Sequence, residues 1–459
     1  AVGAPGYNPV ASAYAMPYGV SNGRYNGNGQ GVPVTAPPAP AAAVPAVMVS
    51  NGNYVKVHMP RGHANFSPVM RVPEENRSII EKLNKLLASR VQFQVRLRAL
   101  WAKSLGLHRS VAEESDLAGY LSKVAEDLDV PLSVFGDAGT NMDIYDFNGD
   151  GKVQFHEVYK LVKHSLAAYR KELGGKFQVD VPFHTPEQAG YTVIKVMGKG
   201  AQGTASLATD KAGNKRILKS YSKENTNAGG IDDIQEELEM TAKVDSSPHV
   251  AKTYEIFQDA TSFYLIMDPF MGGDLEDLQV KAVDAGVDLS EDWYRGVFYQ
   301  SFSALAWLHE NGITHADIKE PNLMVRNTDY EKPFIVIIDY GLAAATLVSK
   351  GIRGTPGYIP PETWQYGFWY PKGDVFSMGV VCCQMLCNRV PSGKRGTLGI
   401  FQNPPTMESV VQNTQTLEPP YEDMDPHSND ILEWLHGCMA KDMYERSKIP
   451  DILGHPWFD

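Results

Sequence analysis

The sequence predicts an α+β protein of two lobes, a small β-rich one and then a helical one, with an all-α module and a low-complexity tail in front. Three observations carry this. Residues 1–72 are rich in Ala, Pro, Gly, Val, Asn and Tyr, with no Asp or Glu before Glu74. From Glu74 apolar residues recur at helical spacing. From Tyr191 strand-like runs alternate with Gly-rich turns, and from about residue 290 to the end the pattern is helical again. A chain of 459 residues also exceeds what one core usually organises.

The tail carries a mild positive charge from Arg24, Lys56, Arg61 and Arg71. Its composition cannot bury enough surface to offset the entropy of ordering. It is read either as disordered or as a docking segment that orders along a partner, anchored by Tyr7, Tyr14, Tyr18, Tyr25 and Tyr54. The all-α module spans 73–175. Its first helix places Ile79, Ile80, Leu83, Leu86 and Leu87 on one face, and "SDLAGYLSKVAEDL" and "EVYKLVKHSLAAYRKEL" continue the pattern. Gly174-Gly175 supplies the stop signal. Residues 176–190 read as a linker, and 191–459 as the two-lobed unit.

A net charge of −12 argues against a nucleic-acid binder, which normally shows a basic stripe. No apolar run is long enough to span a bilayer. The N-terminus lacks a charged-then-apolar leader, although the chain begins at Ala1, which leaves removal of a segment open. Cys382, Cys383 and Cys387 cluster in the apolar stretch "VVCCQMLC", and Cys438 stands apart, with no CxxC pair. Buried reduced thiols in a reducing, intracellular and cytoplasmic setting are expected rather than zinc or disulfides.

Within the helical module, "DFNGDGKVQFHE" (146–157) has the spacing of the EF-hand calcium loop. Asp146, Asn148 and Asp150 stand at positions one, three and five, and Gly151 makes the sharp turn. Lys152 offers its carbonyl, Gln154 acts through water, and Glu157 closes the loop as bidentate ligand. Calcium needs about six to eight oxygens at about 2.3–2.6 Å, and this spacing wraps them around one point. Such loops pair, and "SLGLHRSVAEES" (104–115) is the candidate partner, with Val111 at the position facing Val153. It lacks acidic ligands at its first three positions, so one competent site is expected.

In the two-lobed unit, "GKGAQG" supplies Gly198, Gly200 and Gly203. Alone this pattern also fits dinucleotide folds, but here it lies between strand-like "YTVIKVM" and "TASLATD". That favours a hairpin closing over phosphates. Downstream come "RILK" at Lys219, "FYLIMDPFMGGDL", "ITHADIKEPNLMV", "DYG", "GTPGY", "PPE", "GDVFSMG", "MYERSKIP" and "HPWFD". Motifs in this order, over Tyr191 to the C-terminus, resemble the eukaryotic protein kinase family. With the calcium loop added, the chain resembles calcium-dependent kinases of the calmodulin-dependent group, although here the calcium module comes first.

The resemblance implies the bilobal kinase fold and Mg-ATP as phosphate donor. Lys219 matches the lysine on the α- and β-phosphates. Its helix partner aligns with Glu237, or Glu236 one residue earlier, unless this is simply a solvated acidic face. Met267 is the gatekeeper, the backbones of Asp268 and Phe270 meet adenine, and Asp274 sits at the ribose and substrate edge. Ala205, Ile217 and Met324 complete the adenine site. Asp317 accepts the substrate hydroxyl proton, Lys319 offsets charge on the phosphoryl, and Asn322 and Asp339 hold magnesium. Glu362 should pair with Arg446, and Asp374 should brace the catalytic loop. Lys319 and Thr355 fit serine/threonine rather than tyrosine kinases, so protein serines and threonines are the expected substrates.

The chain departs from the family in four places. Ala316 stands where many kinases carry an arginine that meets a phosphorylated activation loop. Phosphorylation there is therefore not expected to be the main switch. Ala205 and Ile217 replace the usual valine and alanine of the adenine roof. The lobe-spanning stack reads His315, Tyr340, Thr241 and Thr253, where apolar residues and Phe are usual. "PPE" replaces Ala-Pro-Glu. The leading reading is a calcium-responsive serine/threonine kinase. The alternative is a scaffold that uses both folds for docking, with residues 1–72 as its anchor. In a third, the loop is a calcium staple to which the kinase is indifferent.

Overall fold

The computed structural model describes residues 23–25, 31–33, 74–147, 150–174, 181–199, 203–223, 247–339, 349–426 and 428–459. Within the first 47 residues, β1 (Gly23–Tyr25) pairs antiparallel with β2 (Gly31–Pro33), Arg24 opposite Val32. Composition alone did not announce this pairing. The Asn-Gly-Asn-Gly-Gln sequence between the strands is rich in turn formers. The expected tyrosine anchors other than Tyr25 lie outside the described residues.

The helical module comprises α1 (Glu74–Ala88), α2 (Arg90–Leu105), α3 (Glu114–Leu128), α4 (Ala138–Tyr145) and α5 (Phe155–Glu172). Each contributes one apolar stripe to a shared core. Leu83 of α1, then Phe93, Leu97 and Trp101 of α2 at four-residue spacing, meet Tyr120, Leu121 and Val124 of α3 and Val158, Leu161 and Val162 of α5. Ile79, Leu86 and Leu87 pack against it from the rim. Asp137 caps α4, accepting the Thr140 N–H at 2.8 Å. Two short strands, β3 (Val111–Ala112) and β4 (Val153–Gln154), join the two loops. Ala112, not Val111, faces Val153, and Val111 faces Gln154. The one-residue shift puts the small Ala112 fully inside the core beside buried Val153.

Part of the expected linker belongs to the small lobe. Phe183 bridges Gln258 in parallel, with the His184 N–H on the Gln258 carbonyl at 2.8 Å and the Gln258 N–H on the Pro182 carbonyl at 2.9 Å. Val181 packs against Tyr221, Phe263 and Leu265. A one-turn helix, α6 (Pro186–Ala189), then leads into a five-stranded antiparallel sheet. Its strands are β5 (Thr192–Lys199), β6 (Thr204–Thr209), β7 (Lys215–Ser222), β8 (Thr253–Gln258) and β9 (Ser262–Met267), in the order β5-β6-β7-β9-β8.

The helical lobe follows. A three-stranded sheet of β10 (Gly273–Asp274), β11 (Leu323–Val325) and β12 (Ile335–Ile337) lies beside α7 (Leu275–Asp284) and α8 (Glu291–Glu310). Next come β13 (Ser349–Lys350), α9 (Pro361–Tyr366), β14 (Phe368–Trp369) and α10 (Pro371–Leu386). The chain closes with α11 (Met407–Thr416), α12 (Asn429–Met439) and α13 (Ile449–Leu453). Helix α10 is mostly apolar and buried along nearly all its length, so it forms the axis of this lobe. The four cysteines are free and buried there, and burial pushes the thiols of Cys382 and Cys438 far up. No described helix is long and apolar enough to cross a membrane.

Candidate active site and cation loop

Residues 313–322 run between α8 and β11 and are anchored from below. Asp374, near the start of α10 and fully buried, accepts the backbone N–H of His315 at 2.7 Å and of Ala316 at 2.8 Å. The Trp369 indole N–H (3.0 Å) and His309 Nε2 (2.9 Å) also meet its carboxylate. One carboxylate thus fixes the loop backbone through charge-assisted bonds. Ala316 is held at φ +60, a left-handed conformation, and packs with Ile359, Trp369 and Trp364. The position open to an arginine is therefore a small apolar cluster.

Above this floor the polar groups converge on Asp317. Lys319 Nζ donates to Asp317 Oδ2 at 2.8 Å and to Thr355 Oγ1 at 2.8 Å, while Thr355 Oγ1 donates to Asp317 Oδ1 at 2.7 Å. Asn322 Nδ2 donates to the Asp317 carbonyl at 2.7 Å and to Oδ2 at 3.2 Å. That spends the Asn322 amide nitrogen on Asp317 and turns its oxygen, an acceptor, elsewhere. Lys219, on β7, reaches across to Asp339, with Nζ to Oδ1 at 2.7 Å. Asp339 is itself at φ +65.

The sheet places the expected nucleotide residues as follows. Ala205 is opposite Lys219, and Ile217 is opposite Met267, across adjacent strands. Asp268 spends its carboxylate on Arg216 Nη1 at 3.0 Å and the Tyr254 hydroxyl at 2.9 Å. Its backbone is thus the part left for a ligand. Phe270 follows in the strand-to-helix connection, half-buried. Asp274 pairs with Met324 between β10 and β11 and caps α7, and burial raises its carboxyl above the ordinary range. Gly198 faces Ala205. At Gly203 a Cβ would lie 2.2 Å from the Ser220 carbonyl oxygen, so only glycine fits. Gly200, Glu236, Glu237, Tyr340 and Thr241 lie outside the described residues. Among the stack residues that are described, His315 is fully buried and Thr253 half-buried.

A buried polar triad beneath the loop went unread in the sequence. Glu320 accepts the Tyr358 hydroxyl at 2.5 Å and Gln384 Nε2 at 2.7 Å, while Gln384 Oε1 accepts the Ile400 N–H at 3.0 Å. All three side chains are under 5 % exposed, and they tie the catalytic loop to the "GTPGY" segment and to α10. Burial pushes the Glu320 carboxyl up to about 7. A carboxyl raised in the folded state contributes stability below its unfolded value near 4.5 and loses it as pH climbs toward 7. Glu320→Gln is therefore expected to match the parent at pH 4.5 and to exceed its unfolding free energy by roughly 3 kcal/mol at pH 8. Thermal unfolding at the two pH values checks this. A variant equally destabilised at both would remove the protonation argument.

The loop 146–157 is closed mainly by its own backbone. Asp146 Oδ1 accepts the Asp150 N–H at 3.1 Å, and Oδ2 accepts the Gly151 N–H at 2.9 Å. Glu157 accepts the N–H of Phe147 at 3.0 Å and of Gln154 at 2.7 Å, and Asp150 Oδ1 accepts the Lys152 N–H at 2.9 Å. Gly151 takes φ +76, which the sharp turn requires. Glu157 has no exposed surface, and burial raises its carboxyl. Each Glu157 oxygen thus has a backbone N–H donor, and the ligand positions of the loop offer oxygen donors, the type that suits calcium. Among the described residues no three acidic, His or Cys side chains yet converge. Asn148 lies outside the described residues. Asp146 Oδ2 instead meets Lys448 Nζ of the helical lobe at 2.8 Å.

Comparison with known proteins bears on this geometry. The description "Protein kinase domain" matches residues 191–458. The chain is 30% identical over 266 residues to calcium-dependent protein kinase 5 of Plasmodium berghei, covering 57% of this chain and 44% of that one. It is 26% identical over 279 residues to the human serine/threonine-protein kinase ULK3, covering 60% and 56%. Against calcium-dependent protein kinase 6 of P. berghei it is 24% identical over 420 residues, covering 84% of this chain and 27% of that one. That last share is too large for 191–459 alone, so the similarity reaches into the helical module. The chain spans less than two thirds of each of these relatives.

Proposed function

Because this chain belongs to the protein kinase family, we propose that it transfers the γ-phosphate of Mg-ATP to serine or threonine hydroxyls of proteins, under the influence of calcium at 146–157. The observation that carries the transferase reading is the convergence on Asp317. Its two carboxylate oxygens are each fixed by a donor, Thr355 on one and Lys319 with Asn322 on the other. The remaining lone pairs can receive the proton of an incoming hydroxyl. Lys319 adds positive charge where the transferring phosphoryl gains negative charge, and Lys219 sits beside Asp339 to hold the other phosphates.

The donor set fits magnesium, which is usually held by one or two carboxylates together with substrate phosphates. Asp339 and the Asn322 amide oxygen would hold it, and it would supply neutralisation of phosphate charge. Glu237 is proposed as the helix partner of Lys219, and Ala205, Ile217, Met267 and Met324 as walls around the adenine, with the Asp268 and Phe270 backbones as its hydrogen-bonding edge.

Ala316 supports the further proposal that the activation segment does not depend on phosphorylation for order. Its described part is held by packing: β13 pairs with β14, Ser349 opposite Trp369, and Trp369 lies on Ala316. Calcium dependence is supported by the donor set and by relatives named as calcium-dependent kinases. The donors are Asp146, Asn148, Asp150, the Lys152 carbonyl, Gln154 and Glu157.

The test is transfer from Mg-ATP to a basic serine peptide, with calcium and with chelator. Calcium is expected to change the rate in the parent. Glu157→Gln should weaken calcium binding by at least about tenfold, about 1.4 kcal/mol, and leave transfer alike under both conditions. Equal transfer in the parent would reduce calcium to a staple. No transfer with ATP still bound would replace the enzyme reading by the scaffold one.

A further inference from the structure

The helical module does not stand beside the kinase domain as a separate bead; its α5 and its 146–157 loop rest on the helical lobe. Two contacts and two longer-range charge pairs define the seam. Lys448, the residue preceding α13, is the N-cap of that helix and donates from Nζ to Asp146 Oδ2 at 2.8 Å. His164 of α5 lies against Gly312, so closely that a Cβ on Gly312 would sit 1.9 Å from the imidazole. The charge of Glu310 acts on Lys160 of α5, and that of Asp143 of α4 acts on Lys372 of α10.

The seam is arranged by charge. On the kinase side Lys372, Arg446 and Lys448 lie close enough to influence one another. Arg446 is neutralised by Glu362 in a two-pronged ion pair, and Lys372 Nζ donates to the Met443 carbonyl at 3.0 Å, so Lys448 is the cation that meets the acidic side of the module. On that side Asp146 is 3 % exposed, so its charge is poorly screened by water. Asp146 is also the first ligand position of the loop. A divalent cation there faces Lys448 at close range and draws on the same carboxylate oxygen.

We propose that Lys448 and calcium compete for Asp146, so that filling the loop breaks the bridge to the helical lobe and loosens the module from the base of the catalytic loop. The inference rests on the reading of 146–157 as a calcium site. Its consequence follows from where the seam lies. Gly312, under His164, is three residues before His315 and five before Asp317. His315 and Ala316 are the residues whose N–H groups Asp374 holds. Whatever releases His164 therefore acts at the start of the segment that carries the catalytic aspartate. By reciprocity, the docked module lowers calcium affinity by the same factor by which calcium weakens docking.

The experiment is calorimetric titration of the 459-residue chain with calcium chloride, for the parent, Lys448→Met and Lys448→Arg. Lys448→Met is expected to bind calcium about tenfold more tightly, about 1.4 kcal/mol, because no ammonium has to be displaced. Lys448→Arg keeps the charge and should stay within about threefold of the parent, about 0.7 kcal/mol. Equal affinity in parent and Lys448→Met overturns the competition while leaving the calcium site standing. If neither takes up calcium, the reading of the loop falls and the competition with it. Amide hydrogen exchange on the parent gives a second readout, needed if Lys448→Met does not fold. Calcium should speed exchange in residues 310–316 and 445–452. Unchanged exchange in both stretches, with calcium bound, overturns release.

Discussion

Asp317→Asn is expected to lower phosphate transfer by about 10²–10⁴-fold, the usual worth of a positioned general base, while ATP still binds. Asparagine keeps the shape of the side chain but cannot take up the hydroxyl proton. It also mismatches its surroundings. Lys319 and Asn322 donate to one carboxylate oxygen and Thr355 to the other. An amide that keeps its oxygen toward Lys319 and Asn322 turns its NH₂ toward Thr355, whose hydroxyl must then accept where it had donated, so the loop network rearranges as well as losing the base. Steady-state phosphorylation of a serine peptide, beside calorimetric binding of ATP, separates the two effects. Loss of less than tenfold would remove Asp317 from the role of base. Loss of ATP binding in parallel would mean that the variant had disturbed the site as a whole.

Arg446→Met carries the largest expected cost in stability. The guanidinium is 1 % exposed and meets Glu362 with both prongs, at 2.7 Å and 2.9 Å. It also donates to the carbonyls of Ala440 at 3.0 Å and Lys372 at 2.7 Å, and lies over the Phe376 ring. Removing it leaves a carboxylate and two carbonyls buried together without their donors. The expected loss is about 3–5 kcal/mol, the range for breaking one side of a buried pair. Urea unfolding followed by tryptophan fluorescence measures it. Adding Glu362→Gln to the same chain should recover part of the loss, since the stranded charge is then gone. A single-variant loss under about 1 kcal/mol would show that the site can hydrate or relax, contrary to its burial.

Contiguous motifs were the legible part. Asp317, Lys319 and Asn322 fall within six residues, so the loop that presents them together could be read directly. Glu362 with Arg446, and Asp374 with the catalytic loop, were also anticipated, but only because the family resemblance supplies pairings that spacing cannot. What the sequence concealed depends on long-range convergence. The Glu320, Tyr358 and Gln384 side chains look like ordinary surface residues until three elements bury them in one place. Lys448 and Asp146 are 302 positions apart, and nothing near either one announces the other. The strand register of Val111 was missed by one residue because periodicity marks an apolar position without fixing which neighbour lies across from it.

The cluster around Ala316 bears on how signals end. Where an arginine and a phosphate order a kinase loop, the active form is a covalent mark, and it outlasts its stimulus until a phosphatase removes it. Here Ser349 and Lys350 are laid against Phe368 and Trp369 by strand pairing, and Trp369 is seated on Ala316. In this described part of the segment the order comes from strand pairing and packing, with no covalent mark among the contacts that hold it. On the proposed reading, in which calcium rather than loop phosphorylation sets activity, output would fall as fast as the controlling ligand departs, with no second enzyme needed to reset it.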